Sequence, residues 1–464
     1  MLNINKDIFR AYDVRGQEQK GELTTELFEL LGRAYGSHCL RENIAQTIVV
    51  GYDSRESSHK FAKTLIQGLV STGCEVIDLG MVVTPMMYWA QHYFNTKGGV
   101  MITASHNPVG WNGAKFASGL SQTLGGDNLK KLYTIIQDND FLEQTGGTVR
   151  EHNILDEHIQ DLATKARVVQ KQKVLVNTGN GTAGLVVSKI LKAAGCEVVE
   201  LHTEIDSSYP HYMPNPIAQE MIQDTEQAVQ NNNVDFALMF DGDGGRVGLV
   251  DGDGRTISPD YFFIFLLRRV LQEKPGATIV YDVSCTQAIQ DEIDRLGGKG
   301  VMCAVGHTNV KDAIKKHNAA LGGESSGHIA FAHGYYGFDD GVFTGLKLAE
   351  YFSDYKESVS DLEKQLPHYV TSPRWSFSAS EKEKFEIVQK VADALKQQGY
   401  DTQTLDGVRV QFENGFGLMR ASNTSGSIVM RFEAKTQEQL QEIENIFKQH
   451  LQNIGGVAEN WEIG

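Results

Sequence analysis

Three stretches of the chain share one order of apolar and polar positions. TIVVGYDSR (47–55) is an apolar run ending in a polar turn; a helical stretch follows, and a second apolar run, GCEVIDLG (73–80), closes the unit. The same order returns in KVLVNTGNG (173–181) with GCEVVELH (195–202). A more degenerate copy runs from TIVYDVSC (278–285) through a helical stretch ending at Leu296 to GGKGVMCAVG (297–306). Each copy predicts a strand, a turn, a helix of about four turns and another strand. Apolar runs without strict alternation, joined by helices, belong to parallel sheets covered on both faces. The pattern therefore predicts three tandem α/β domains.

The end of the chain departs from this pattern. Residues 380–398 read as a helix, short strands follow around 407–412, 416–421 and 427–434, and a second amphipathic helix covers about 436–453. That is α+β. Polar stretches near 150, 254 and 366 place the expected domains at 1–150, 151–254, 255–366 and 367–464.

Length agrees, since 464 residues exceed one compact core. With 41% hydrophobic and 22% charged residues, the composition is that of an ordinary soluble globular protein. No apolar run of about eighteen residues occurs, so no membrane helix is expected. The first residues, MLNINKDIFRAYDVRG, lack a signal peptide's apolar centre. Cys39, Cys74, Cys196, Cys285 and Cys303 are scattered without a C-x-x-C pair, which argues against a disulfide framework and a zinc site. The expected location is the cytoplasm. A net charge of −16 argues against nucleic acid and anionic membrane as partners. A phosphate-bearing ligand would then need cations gathered in one place, so each Arg, Lys and His near a motif counts.

Five motifs offer chemistry. In GGVMITASHNPVGWNGAKF (98–116) an apolar strand runs into Thr103–Pro108, a tight exposed loop of small and polar residues. Ser105 there is a candidate nucleophile, with His106 or Lys115 handling protons; a plain Ser/Asn-stabilised turn is the alternative. In FALMFDGDGGRVGLVDGDGRTI (236–257) a strand ends in Asp241-Gly242-Asp243-Gly244. In extended chain both carboxylates point the same way and can face one hard cation such as Mg²⁺. An EF-hand is excluded, because the sixth position is Arg246 and the twelfth Gly252. Asp251–Gly254 reads as a hairpin turn.

In LGGESSGHIAFAHGYYGFDDG (321–341), Glu324, Ser325, Ser326 and His328 sit among glycines, an acceptor and donor together for vicinal sugar hydroxyls. In GFGLMRASNTSGSIVMRFEA (415–434), Arg420, Ser422, Asn423 and Thr424 lie in a turn between strands, either a phosphate cradle or a solvated hairpin. In IFRAYDVRG (8–16), Arg10 and Arg15 flank Tyr12, a surface strand edge when taken alone. A sixth pattern competes: Gly179-Asn180-Gly181-Thr182-Ala183-Gly184 fits G-x-G-x-x-G, with Glu200 placed as a ribose-binding acid. It supports a nicotinamide-dependent dehydrogenase, but it lies in the middle copy of the repeat and leaves the other motifs unexplained.

FRAYDVRG, TASHNP, DGDGGR, GESSGH and RASNT stand in the order found in the α-D-phosphohexomutase family, and the likeness runs along essentially the whole chain. GESSGH with GFDDG and RASNT resembles the bacterial phosphomannomutase/phosphoglucomutase branch. The resemblance implies three related α/β domains with mixed, largely parallel sheets plus a C-terminal α+β domain around a central cleft. It implies Ser105 as the phosphoserine, with Asp241, Asp243 and a phosphoserine oxygen as metal ligands. His106, Lys115, Arg15 and Arg246 would surround the phosphoserine, Lys115 being a candidate general acid/base. Glu324 and Ser326 would read sugar hydroxyls, and Tyr12 and His328 would join them in substrate binding. Arg420, Ser422, Asn423 and Thr424 would take the non-transferred phosphate, and His307 would help to tell the substrate's ends apart. Mg²⁺ would be the metal, a hexose 1,6-bisphosphate the activator and intermediate, sugar phosphates the ligands, and the protein a monomer or weak dimer.

Three positions depart from the family pattern. Gly245 replaces the third acid of D-G-D-G-D-R, Ser284 stands where close relatives carry lysine, and Gly426 replaces a proline. Two further readings survive beside the mutase: a sugar-phosphate-binding protein of the same fold with little activity because of Gly245, and a phosphatase that hydrolyses its phosphoserine. Mannose and glucose are not separated, because Glu324 and Ser326 would read hydroxyls that both sugars carry.

Overall fold

The computed structural model describes residues 4–380, 382–422, 426–454 and 461–463. They form two compact units, Met1–Phe262 with Ser326–Leu362, and Phe263–Ser325 with Glu363–Gly464.

The first unit holds two sheets. One runs in the order Val14–Gln17, Trp111–Gly119, Gly98–Ile102, Thr47–Tyr52, Glu75–Met81, Thr148–Glu151. Its inner strands are parallel, whereas Trp111–Gly119 and Val14–Gln17 join antiparallel. Helices Thr25–Arg41 and Ser58–Ser71 close over it through a core that includes Phe28, Leu31, Leu65 and Leu69. The second sheet runs Thr256–Ile257, Val247–Asp251, Phe236–Phe240, Lys173–Asn177, Glu197–Leu201. The hairpin expected at Asp251–Gly254 is present: Asp251 Oδ1 accepts from the amides of Asp253 and Arg255, and Gly254 supplies a φ of +79°.

The second unit holds three parallel strands, Lys299–Cys303, Thr278–Asp282 and Leu321–Gly323. It also holds the antiparallel sheet of the chain's end, in which Val408–Phe412, Gly415–Ala421 and Ser427–Ala434 pair in succession. Helices Glu383–Gln397 and Gln437–Ile454 cover this sheet with Val391, Leu395, Ile443 and Phe447.

The repeat is real in three dimensions. Thr47–Tyr52, Lys173–Asn177 and Thr278–Asp282 each lie between two parallel partners, the later strand of their own repeat and a third strand from beyond it. The expected helix of about four turns occurs only in the first copy, as the 14 residues Ser58–Ser71. The second copy has a 3₁₀ turn, Thr182–Leu185, and then only the 7 residues Val187–Ala193. There Gly184 is pressed onto the chain, and a Cβ on it would stand 2.1 Å from the Thr203 carbonyl oxygen. The third copy's helix has 9 residues, Gln287–Arg295, because Asp282–Thr286 forms a turn and Gly297, at φ +71°, stops it. Among the described residues no helix is long and apolar enough to cross a membrane.

Candidate active site

The motifs of the three repeats all follow the third strand of their sheet. Gly98–Ile102 leads into Thr103–Pro108, Phe236–Phe240 into Asp241–Gly245, and Leu321–Gly323 into Glu324. The carboxyl ends of parallel strands are where ligands bind in such sheets.

In the first unit, Ser105 has a φ of +49°, which is strained for a residue with a side chain. Its amide donates to Thr103 Oγ1 at 2.9 Å. Its hydroxyl donates to Asp241 Oδ2 at 2.7 Å and lies 3.1 Å from His106 Nδ1. The loop was expected to be exposed, and at Pro108 and Val109 it is. Ser105 itself is only 4% exposed, because Gly242 covers it so closely that a Cβ there would stand 2.6 Å from the Ser105 carbonyl oxygen.

Asp241 and Asp243 are brought together by a turn rather than by extended chain: the Gly244 amide donates to the Asp241 carbonyl at 3.0 Å, and Gly244 has a φ of +73°. Asp243 Oδ2 accepts from Lys115 Nζ at 2.9 Å, Thr84 Oγ1 at 2.6 Å and Thr103 Oγ1 at 3.3 Å. Its other oxygen, Oδ1, is buried with no hydrogen-bond partner among the described residues. Arg246 donates its amide to Asp241 Oδ1 at 2.9 Å and its Nε to His328 Nε2 at 2.9 Å. Because His328 Nε2 accepts from Arg246, the neutral ring carries its proton on Nδ1, which lies 3.1 Å from Asp339 Oδ2. Arg15 reaches the same loop, donating to Asn107 Oδ1 at 2.6 Å and the Ala104 carbonyl at 3.2 Å. Tyr12 lies in the bend before Val14–Gln17, against Gly125.

These contacts fix charge states. The charge of Arg246, then burial, then Arg15 hold His106 well below the usual histidine range. Burial opposes ionisation at Lys115 but is outweighed by Asp243 and Asp339, which push its pKa up. Burial also opposes ionisation at Asp243, yet the Lys115 ammonium and the Thr84 hydrogen bond hold it down. Asp241 is raised by burial and by the neighbouring Asp243 charge. The site thus sets a proton-poor imidazole beside the Ser105 hydroxyl and a proton-rich ammonium beside Asp243.

Sequence reasoning passed over Thr84, Asn107, Asp339 and Arg55. Thr84 and Arg55 follow strands Glu75–Met81 and Thr47–Tyr52, so the rule that selected Ser105 points to them as well. The G-x-G-x-x-G turn is engaged within the fold. The Thr182 amide donates to the Gly242 carbonyl at 2.9 Å, Thr182 Oγ1 accepts from the Ser54 amide at 2.9 Å, and Glu200 pairs with Lys192 at 2.7 Å.

In the second unit, buried Glu324 accepts from the Gly306 amide at 2.6 Å, directly before the helix that His307 begins. Asp282 accepts from the amides of Ser284 at 2.6 Å and Ser325 at 3.1 Å, and the hydroxyls of Ser284 and Ser325 meet at 2.7 Å. Arg420 was expected in a turn but lies within the strand Gly415–Ala421, paired across to Val429, so its buried side chain is held by the sheet. Its Nε donates to Asp406 Oδ2 at 3.0 Å, whereas one terminal nitrogen has no hydrogen-bond partner among the described residues. Ser422 is buried beside it, and its carbonyl accepts from Lys384 Nζ at 2.7 Å. Asn423 and Thr424 lie outside the described residues. Ser326 falls in the first unit and Glu324 in the second.

The donor set fits a hard divalent cation in part. Asp241 and Asp243 supply oxygens, one of them unbonded, but among the described residues no group of three or more His, Cys, Asp or Glu is gathered for a metal. An anionic oxygen on Ser105 would complete such a site.

Family models match along the chain: phosphoglucomutase/phosphomannomutase alpha/beta/alpha domain I at residues 6–143, domain II at 156–254, domain III at 258–369, and the C-terminal domain at 378–450. A Pseudomonas syringae pathovar tomato protein named phosphomannomutase/phosphoglucomutase is 37% identical over 447 residues, 96% of this chain and 95% of its own length. A Neisseria gonorrhoeae phosphoglucomutase is 36% identical over 451 residues, 97% of each chain. A crystal structure of a phosphoglucomutase/phosphomannomutase family protein from Burkholderia thailandensis superposes with a TM-score of 0.92 at 34% identity, covering 98% of this chain and 99% of that one.

Proposed function

Because the chain belongs to the α-D-phosphohexomutase family, in its bacterial phosphomannomutase/phosphoglucomutase branch, we propose that it interconverts hexose 6-phosphate and hexose 1-phosphate, of mannose, glucose or both, through phosphorylated Ser105 and a hexose 1,6-bisphosphate. Hexose-phosphate mutase activity follows from the family and its relatives; the residue roles are our assignment. The observation that carries it is the Ser105 hydroxyl, held at a left-handed φ between Asp241 and the proton-poor His106.

The residues divide the work by their charge states. When Ser105 receives a phosphoryl group, its hydroxyl proton has two acceptors within reach, Asp241 and His106. Lys115 keeps its proton and can donate it to a departing sugar oxygen. Arg246 and Arg15 bring positive charge to the transferring group, with Arg246 aimed by His328 and Asp339. His328 Nε2 accepts from Arg246 and its Nδ1 faces Asp339 at 3.1 Å, which supports a positioning role over direct sugar recognition. Asp241, Asp243 and an oxygen of the phosphate on Ser105 would hold Mg²⁺, which would offset the negative charge of the group in transfer. In the second unit, the unbonded Arg420 nitrogen and Ser422, with Asn423 and Thr424, are assigned to the phosphate that stays on the sugar. Glu324, Ser326, His307 and Tyr12 are assigned to the sugar. Cytoplasm is the proposed location, consistent with five buried free thiols.

A coupled assay with glucose 1-phosphate and mannose 1-phosphate, with hexose 1,6-bisphosphate and Mg²⁺ present, tests the reading alongside peptide mapping of the phosphorylated protein. Turnover with phosphate on Ser105 is expected. Phosphate on another residue, release of inorganic phosphate without isomerisation, or binding without turnover would each replace it.

A further inference from the structure

We infer that Arg55 is the positioning residue for phosphoryl transfer, its guanidinium holding the Ser105 loop in the shape that presents the hydroxyl to Asp241 and His106. The inference rests on the reading of Ser105 as the phosphorylated residue.

Arg55 lies in the turn after Thr47–Tyr52 and is 6% exposed. One terminal nitrogen donates to the carbonyls of Ser105 at 2.7 Å and Asn107 at 2.6 Å. The other donates to the carbonyls of Pro108 and Trp111, both at 3.0 Å. Four carbonyls of one loop thus converge on one planar cation. A guanidinium presents five N–H groups in a rigid fork, and no other side chain matches that set. The fork is fixed in turn: Nε faces Asp53 Oδ2 at 3.4 Å, and the Tyr209 ring lies 5.7 Å from the guanidinium carbon. Asp53 is anchored by the Arg55 amide and the Ser58 hydroxyl.

The need for such a clamp is visible at Ser105. Its φ of +49° is strained for a residue with a side chain and persists only where the surroundings over-determine it. Converging carbonyl dipoles repel one another unless a cation sits among them. The same turn also sets the other side of the Ser105–Asp241 bond. The Ser54 amide donates to Thr182 Oγ1, the Thr182 amide donates to the Gly242 carbonyl, and Gly242 lies on Ser105. Residues 53–55 therefore hold the backbone on both sides of that bond, Ser105 through the Arg55 guanidinium and Gly242, next to Asp241, through Thr182.

In the step concerned, the bond from phosphorus to the sugar oxygen of a hexose bisphosphate breaks and a bond from phosphorus to Ser105 Oγ forms. The serine proton passes to Asp241 or His106, and the sugar oxygen that leaves takes a proton from Lys115. Arg55 exchanges no proton in this step; it acts through the loop.

The test follows phosphorylation of the full-length protein by glucose 1,6-bisphosphate in a single turnover, using intact mass and peptide mapping. Wild type, Arg55→Lys and Arg55→Met are compared, with kcat, KM and melting temperature measured in parallel. A misplaced reacting group costs about a hundredfold, so the rate constant and kcat should fall by that factor with KM within roughly threefold. Lysine should not rescue, since one ammonium cannot serve four carbonyls. A merely structural role would lower the phosphorylated fraction and leave the rate constant of the folded molecules unchanged, and that outcome overturns the inference. If the Arg55 variants do not fold, Asp53→Asn, which loosens the clamp and keeps the guanidinium, decides: a slower rate constant supports the inference and an unchanged one overturns it. Wild-type phosphate on a residue other than Ser105 removes the underlying reading and this inference with it, whereas wild-type labelling of Ser105 with unimpaired Arg55 variants removes the inference alone.

Discussion

Lys115 Nζ and Asp243 Oδ2 stand 2.9 Å apart with both side chains closed to solvent, so each charge exists at that depth because of the other. Breaking a buried pair by removing one partner costs about 3–5 kcal/mol, since the remaining charge is left uncompensated. Lys115→Met should therefore lower the melting temperature, and added Mg²⁺ should restore more of it in the variant than in wild type. Calorimetry with and without Mg²⁺ reads both effects. An equal Mg²⁺ response in the two proteins would place the cation elsewhere.

Much of this site was readable in the sequence. The repeat announced the sheets, and strands followed by small polar residues announced Ser105 and Asp241. What periodicity could not show was contact across sheets. Thr84 and Asp243 are 159 positions apart and bonded at 2.6 Å. Arg55 belongs to a segment that read only as the polar turn inside the first repeat copy. Ser105 looked exposed because a Ser-His-Asn-Pro turn normally is, whereas the packing of Gly242 covers it. The second copy's helix was overestimated because periodicity could not show Gly184 pressed onto the Thr203 carbonyl, where a 3₁₀ turn replaces the start of the helix.

Arg420 is buried with one terminal nitrogen unbonded among the described residues, beside Asp406. A cradle for the phosphate that stays on the sugar should be blind to which sugar carries it. Arg420→Ala should raise KM for glucose 1-phosphate and mannose 1-phosphate by similar factors, roughly ten- to a hundredfold from the loss of a charge-assisted contact. Steady-state kinetics on both substrates provides the check. A large change for one sugar alone would make Arg420 a reader of the sugar ring.

A Cβ at Gly245 would stand 3.2 Å from His328 Cε1 and 3.8 Å from the unbonded Asp243 Oδ1. Gly245→Asp therefore places a third acid next to the unbonded oxygen, provided the His328 ring gives way by a few tenths of an ångström. The half-saturating Mg²⁺ concentration should fall roughly tenfold, as ligand charge count sets affinity for a hard cation. The gain should be larger in the dephosphorylated protein, where Asp241 and Asp243 are the only charged ligands. Gly245→Asn, equal in size and neutral, should not reproduce it. Titration calorimetry on both phosphorylation states measures the effect directly, and equal behaviour of the Asp and Asn variants would show that the loop does not hold the metal.

The last prediction concerns His158, in the helix Leu155–Thr164, where the ring is fully buried, edge-on to Trp89 at 5.4 Å. Neither ring nitrogen has a hydrogen-bond partner among the described residues. Burial lowers its pKa to about 3, so the folded protein carries a neutral imidazole where the unfolded chain has one that titrates near 6.5. The sign follows from proton counts. Above about pH 6.5 neither state binds the proton and the group is silent; below it the unfolded chain takes up a proton that the folded one refuses, and stability falls until the folded group titrates near 3. The slope is about 1.4 kcal/mol per pH unit, or about 2 kcal/mol between pH 6.5 and 5. His158→Leu keeps the apolar volume and removes both the titration and two unsatisfied polar atoms. The variant should be more stable at neutral pH, and its advantage should widen as pH falls from 7 to 5. Melting temperatures of the two proteins across that range decide the matter. Parallel curves would mean that His158 finds a proton acceptor in the folded state.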